Sequence, residues 1–264
     1  MTDQQGFRGA IFDVDGVLVD SPHEAAWRQS FQELMETEWA DIRDQTTWTP
    51  DAFTPQVYQQ VLSGKPRMEG ALAALEHFGV PEPETRVDAY AEHKQALVVE
   101  LIKAGKFSAY DDALRFLLAV KDAGIKVAAA SSSKNAGLFL RQIRLDEFAA
   151  QEGLSYDWLS DGLTLLDAFD VDISGRTFER GKPHPEIFLT AASELGVPPH
   201  DAFVIEDAVS GIQAAKAGEF AALGVARHDD EAALAEVGAD IVVTTLDAVD
   251  LGGLADGGLA PRDA

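Results

Sequence analysis

The chain has 264 residues, 46% of them hydrophobic and 25% charged, enough to bury a sizeable core in one large domain or two small ones. Asp and Glu number 45 against 21 Lys and Arg, a formal net charge of −24, so the mean field repels nucleic acid and acidic lipid surfaces, and a small anionic substrate needs a locally positive pocket. With no cysteine, disulfide and thiolate chemistry are excluded; no apolar run approaches the roughly 18 residues of a membrane span, and no basic-then-apolar leader opens the sequence, so a cytoplasmic location is the default expectation.

In chain order, the first β-rich run is RGAIFDV, residues 8–14, ending in FDVDG. From about 22 to 105 the pattern changes: HEAAWRQSFQELM, LEHFGV and DAYAEHKQALVVELIKAG carry apolar residues at helical spacing, with no convincing strand among them. A helical block placed there predicts a second domain inserted into the first, with hinges just after Asp20 and around GKFSAY, residues 105–110. Further strands are predicted at IKVAAAS (125–131), DAFVIED (201–207), FAALGVA (220–226) and DIVVT (240–244), alternating with helices at 110–123, 135–145, 185–196 and 208–218. That alternation argues for βαβ units and a parallel sheet. Residues 146–181 are read as a helix, a strand at FDVDI and a surface loop; the glycine-rich tail LGGLADGGLAPRDA is expected to be poorly ordered. No internal repeat is present.

Chemistry concentrates at the strand ends. Asp13 and Asp15 lie two apart at the carboxyl end of a strand, where ligands of open α/β sheets bind, and Gly16 frees the backbone for a sharp turn. Such a pair suits a divalent cation or a shared proton, and it equally suits plain turn and capping chemistry. In VAAASSSKN (127–135) a strand runs into three hydroxyls, a lysine and an asparagine before a predicted helix, a composition suited to an anion or, more simply, to an N-cap with a solvated lysine. In GKPHPEIF (181–188), Lys182 stands between a glycine and a proline as a point charge suited to phosphate oxygens, or as a solvated loop residue. GRTFERGKP (175–183) fails the nucleotide P-loop pattern on glycine spacing and on Pro183, where Ser or Thr must bind the metal. In FVIEDAVSGIQAAKAG (203–218), Glu206 and Asp207 end another strand. Hard carboxylate oxygens there suit Mg²⁺, with helix capping by Asp207 as the alternative.

The succession DxDG, SxSKN, GKP and ED resembles the haloacid dehalogenase superfamily of phosphotransferases, and most closely its β-phosphoglucomutase-like members. The four motifs stand in order and span nearly the whole chain. The resemblance implies an α/β fold: a Rossmann-like parallel sheet core formed by residues 1–21 and 106–264, with a helical cap over 22–105. It implies Asp13 as a nucleophile forming an aspartyl phosphate, Asp15 as general acid and base, and Ser131 and Lys182 as ligands of the transferring phosphoryl group. Mg²⁺ would be held by Asp13, the carbonyl of Asp15 and Asp207, with Glu206 behind or as an occasional ligand. Ser133, Lys134 and Asn135 resemble a distal phosphate loop. LSGKPRMEGALAAL (62–75) resembles a substrate-specificity loop in which Arg67 clamps that phosphate, and Lys94 and His23 match residues that line or couple to the closed site.

Asp15 and the Glu206–Asp207 pair argue against dehalogenation, because the superfamily's dehalogenases lack them. Two features depart from the family pattern: the Asp20–His23 segment is shorter, and the stretch from Asp146 to Gly181 is longer. The expectation is a Mg²⁺-dependent transferase that converts β-glucose 1-phosphate to glucose 6-phosphate, with a sugar-phosphate phosphatase as the alternative. A domain that only binds a phosphometabolite is the contrasting case. The expected partner is a small sugar phosphate, with no nucleic acid and no membrane, for a monomer or weak dimer.

Overall fold

The computed structural model describes residues 6–62 and 65–262. The chain divides into two compact units, Met1–Asp20 together with Ser108–Ala264, and Ser21–Phe107. The first holds strands β1 (Gly9–Phe12), β2 (Val19–Asp20), β3 (Ser108–Ala109), β4 (Lys126–Ala129), β5 (Val171–Asp172), β6 (Ala202–Glu206), β7 (Ala221–Val225) and β8 (Ile241–Val243). Six of them form a parallel sheet in the order β5-β4-β1-β6-β7-β8, while β2 and β3 make a small antiparallel pair. From β1 the chain winds outward to β5, then returns to the other side of β1 and winds outward again. β1 therefore lies at the point where the winding reverses, the place where such sheets bind ligands.

Register decides what that point contains. Phe12 stands opposite Ala129 of β4 and Ile205 of β6. The ladder continues one step further, Ala130 N–H donating to Phe12 O at 2.8 Å and Asp13 N–H to Ile205 O at 3.1 Å. Three strands thus end level, and the residues that follow each emerge at one edge.

The strands are apolar throughout because both faces are covered. By alternation, Ile11 and Val204 face a core that includes Phe188, Ile212 and Phe220, while Phe12 and Phe203 turn the other way and each meets Phe116 edge-on, at 6.2 and 6.3 Å between ring centroids. Phe116 belongs to the helix Asp111–Asp122, whose buried stripe runs through Ala113, Leu114, Leu117 and Val120. Two aspartates in its first turn and Lys121 in its last complement the helix dipole.

The second unit is helical: His23–Glu36, Arg67–His77 and Pro83–Lys103 are its long elements. Its core is aromatic. Phe31 stands 5.0 Å from Phe78 and 5.1 Å from Tyr90, and the Tyr90 hydroxyl donates to Trp27 O at 3.0 Å, so the buried phenol is satisfied.

Three sequence expectations need correction. The helix expected at 135–145 is two helices, Ala136–Gln142 and Leu145–Gln151. Between them the backbone leaves the helix to pair with residues 163–165: Leu145 N–H donates to Leu163 O and Leu165 N–H to Ile143 O. FDVDI contributes only the two residues of β5. The tail, expected to be poorly ordered, forms the turn of helix Leu251–Leu254, where the Asp250 carboxylate accepts from Gly252 and Gly253 N–H and Leu254 is buried. Val249 then bridges Pro261, and Phe7 N–H donates to Leu254 O.

Candidate active site

The level strand ends bring the four motifs together. Lys182, reaching in from the loop before the helix Glu186–Leu195, donates to Asp13 Oδ1 and to Glu206 Oε1, each at 2.5 Å. Glu206 is almost fully buried, and its second oxygen accepts from the Asp207 and Ala208 N–H groups at 3.1 Å, ahead of the helix Val209–Ala217. Its carboxylate lies so close to Gly211 that a Cβ there would come within 1.9 Å of Glu206 Oε1. On the other side, Gly16 has φ +85°, and a Cβ on it would fall 1.9 Å from Asp207 Oδ2. The Asp207 carboxylate is therefore seated against the turn that follows Asp15.

Ser131 links the second motif to the first: its hydroxyl donates to Asp15 Oδ2 at 3.4 Å. The 131–135 loop is braced from within, Ser133 N–H donating to Ser131 Oγ and Asn135 N–H to Ser133 Oγ, so serine hydroxyls take up two N–H groups that the sequence offers to an anion. From outside, Ser174 Oγ accepts from Ser131 N–H, and Gly175 N–H donates to Ser131 O. Lys134 is exposed and Asn135 is buried.

The electrostatics are those of a crowded anionic site. Burial, opposed by Lys182 and reinforced by Glu206 and Asp15, pushes the Asp13 carboxyl up to about 7. Burial, then the charges of Glu206 and Asp13, holds Asp207 well above the usual carboxylate range. Burial works against the Lys182 ammonium, yet Asp13 and Glu206 outweigh it and raise its pKa. Asp13, Glu206 and Asp207 share this one ammonium, which leaves excess negative charge on hard oxygen donors. Among the described residues no group of three or more His, Asp or Glu side chains forms a ready metal site by itself. The donor chemistry nonetheless fits a divalent cation that keeps several waters and takes a backbone carbonyl beside one or two carboxylates.

Of the remaining sequence candidates, His23, Arg67 and Lys94 belong to the helical unit. Lys94 is buried, with Nζ 3.3 Å from His23 Nδ1 and 4.7 Å from the centroid of the Trp27 ring. Arg67 is exposed and opens the helix Arg67–His77; residues 63–64 of the expected specificity loop lie outside the described residues.

Sequence reasoning missed Arg227, Asp112 and Gly211. Arg227 directly follows the fifth predicted strand run, GVAR, and a cation at one more strand end was the available signal. Its guanidinium forks onto Asp112, Nη1 to Oδ2 at 2.9 Å and Nη2 to Oδ1 at 3.2 Å, and also reaches the carbonyls of Gly16 and Val17.

A sheet wound about β1, with aspartates at its end, a lysine and a second acidic pair, defines a class, and comparison with known proteins agrees. The family model for haloacid dehalogenase-like hydrolases matches residues 7–218. A β-phosphoglucomutase from Mycobacterium tuberculosis is 33% identical over 90% of this chain and 90% of its own length. A phosphorylated carbohydrates phosphatase from Thermotoga maritima is 30% identical over 88% of this chain and 92% of its own. The crystal structure of an archaeal β-phosphoglucomutase from Pyrococcus sp. strain ST 04 superposes with a TM-score of 0.68 at 30% identity, covering 95% of this chain and 99% of that one. The chain belongs to the haloacid dehalogenase-like hydrolases and, within them, to the β-phosphoglucomutase-like subgroup. It is an enzyme of that superfamily, a phosphotransferase or phosphatase.

Proposed function

We propose that the enzyme transfers a phosphoryl group between positions of a sugar phosphate through an aspartyl phosphate on Asp13, with β-glucose 1-phosphate and glucose 6-phosphate as the pair it interconverts. The observation that carries this is the contact of Lys182 with both Asp13 and Glu206, level with Ser131 and Asp15. An anionic nucleophile attacking an anionic phosphate needs positive charge beside it, and Lys182 supplies that charge at bonding distance. Mg²⁺, held by Asp13, the Asp15 carbonyl and Asp207 with Glu206 behind them, would supply further charge neutralisation at the phosphate oxygens.

One Asp13 oxygen is fixed by Lys182 and the other attacks phosphorus. The P–O bond to the sugar breaks as the P–O bond to Asp13 forms, and Asp15 gives its proton to the leaving sugar oxygen. In the return step a sugar hydroxyl attacks the aspartyl phosphate and yields its proton to Asp15, which restores both carboxyl groups. Ser131 orients Asp15 and, with Lys182, binds the moving phosphoryl group. Ser133, Lys134, Asn135 and Arg67 are assigned to a second phosphate, for which a guanidinium fork is well suited; Lys94 and His23 are assigned to substrate binding. Under this proposal the enzyme is cytoplasmic and works as a monomer or weak dimer.

The name of the Thermotoga maritima relative favours a second reading, in which water takes the phosphoryl group and the enzyme is a sugar-phosphate phosphatase. Incubation with β-glucose 1-phosphate, a trace of the bisphosphate and Mg²⁺ separates the two. Glucose 6-phosphate is the expected product; free phosphate alone supports the phosphatase, and neither product overturns both.

A further inference from the structure

Among the described residues of the sheet unit, Arg227 is a cation with a largely covered side chain that the mechanism above leaves without a part, and its surroundings are specific. Its side chain and that of Asp112 are only 9% and 10% exposed. Asp112 accepts from Thr245 Oγ1 at 3.0 Å and Leu246 N–H at 2.7 Å besides the two bonds from Arg227, so the carboxylate is fixed before it aims the guanidinium. The Tyr110 ring lies 3.9 Å beneath Arg227 Cζ and closes the remaining face.

The guanidinium's other bonds go to the turn after the aspartates. Nε donates to Gly16 O and Nη2 to Val17 O, each at 3.3 Å. The turn's own hydrogen bonds use different carbonyls: Leu18 and Val19 N–H donate to Val14 O, and Gly16 N–H to Val19 O. Arg227 therefore supplies donors to carbonyls that these bonds do not use. The same turn carries Asp15 on one side and receives the Asp207 carboxylate against Gly16 on the other. A small displacement of Gly16 would move Asp15 and crowd Asp207 together. Lysine could not replace this group, because a single ammonium has neither the planar fork for Asp112 nor the reach to two further carbonyls.

We propose that Arg227, aimed by Asp112, is a positioning residue for the phosphoryl-transfer step: it holds the Gly16–Val17 turn and thereby the alignment of Asp13 and Asp15. This rests on the assignment of phosphoryl transfer to those two aspartates.

The test compares wild type, Arg227→Ala, Arg227→Lys and Arg8→Ala, the last removing an exposed arginine that bonds Asp201 ahead of the amino end of β1, opposite the strand ends that carry the aspartates. For each, kcat and KM on β-glucose 1-phosphate, the thermal midpoint and the effect of millimolar guanidinium are measured. Both Arg227 variants are expected to lose kcat on the order of 100-fold, the scale of a small misalignment of reacting groups, with KM little changed. Guanidinium should restore part of the Arg227→Ala rate and none in Arg8→Ala, whose kcat stays at the wild-type value. Asp112→Asn, which keeps the side-chain shape, gives a second reading should Arg227→Ala fail to fold, and a smaller fall in kcat at unchanged KM is expected. Undiminished kcat in the folded variants, or a loss that follows only the unfolded fraction without rescue, overturns the proposal. An inactive wild type overturns the phosphoryl-transfer assignment and this proposal with it; an active wild type with undiminished variants overturns this one alone.

Discussion

Lys182 and Asp13 meet through a 2.5 Å contact between Nζ and Oδ1, although they are 169 residues apart in the chain. The contact exists because β1 and β6 end level and because the loop before the helix Glu186–Leu195 returns over that edge. Its partner bond to Glu206 makes the ammonium a bridge between two carboxylates that would otherwise repel each other inside the protein.

Replacing Lys182 with methionine should therefore cost stability as well as activity. Breaking a buried ion pair from one side costs about 3–5 kcal/mol, read as a shift in urea midpoint at constant slope. Adding Glu206→Gln to Lys182→Met should recover part of that loss, because one of the stranded charges is gone, and should recover none of the turnover. A Lys182→Met enzyme with wild-type kcat/KM would remove the lysine from the chemistry.

Glycine at position 211 lies inside the helix Val209–Ala217, where alanine ordinarily stabilises by about 0.5–1 kcal/mol. Here the sign should reverse. The added Cβ would fall 1.9 Å from Glu206 Oε1, and that carboxylate is held by Lys182, Asp207 N–H and Ala208 N–H. A loss of about 1–3 kcal/mol, typical of overpacking, together with reduced turnover is expected from denaturant unfolding and kinetics. A more stable Gly211→Ala protein would contradict the described position of Glu206.

The excess negative charge around Asp207 predicts a readout of cation binding that does not depend on turnover. Chelation should abolish activity and Mg²⁺ should restore it. Without substrate, Mg²⁺ should also raise the unfolding free energy, by about 2.7 kcal/mol at a hundredfold excess over its Kd. Asp207→Asn should blunt that rise in a thermal-shift titration, and an identical rise in both proteins would place the cation elsewhere.

Asp112 provides a pH test. Burial raises its pKa, but hydrogen bonds from Arg227 and the Leu246 N–H prevail and hold it below the ordinary value of 3.8. A carboxyl with a lowered folded-state pKa contributes stability that is fully present above its unfolded value and is lost as pH falls through the folded one. The stability gap between wild type and Asp112→Asn should thus be constant near neutrality and narrow once the pH drops below about 4. Denaturant midpoints measured from neutral pH downward check this, and a gap that widens with acid would reverse the assignment.

Much of the protein was legible in the order of its residues. The apolar strand runs, the carboxylates of FDVDG and of VIED, and the lysine of GKP are local patterns, set by backbone periodicity and by which side chains tolerate a strand end. The fold class and the family followed from their succession. The change to helical spacing after Asp20 was equally local, since Trp27, Phe31 and Leu34 recur with helical period in the helix His23–Glu36.

Other features depended on contacts between distant segments. The helix expected over 135–145 breaks because residues 143–145 find partners at 163–165, which no local propensity records. The glycine-rich tail is ordered by an Asp250 cap and by bonds to Phe7 and Ala248. Arg227 reads in sequence as a cation after a strand, and only the packing of β7 near the turn at Gly16 gives it two carbonyls to hold. The sequence by itself determined which groups are available for chemistry, because residue type and spacing fix strand ends and donor sets. Only the tertiary structure decided which of them meet, because register, burial and the return path of each loop are properties of the folded chain as a whole.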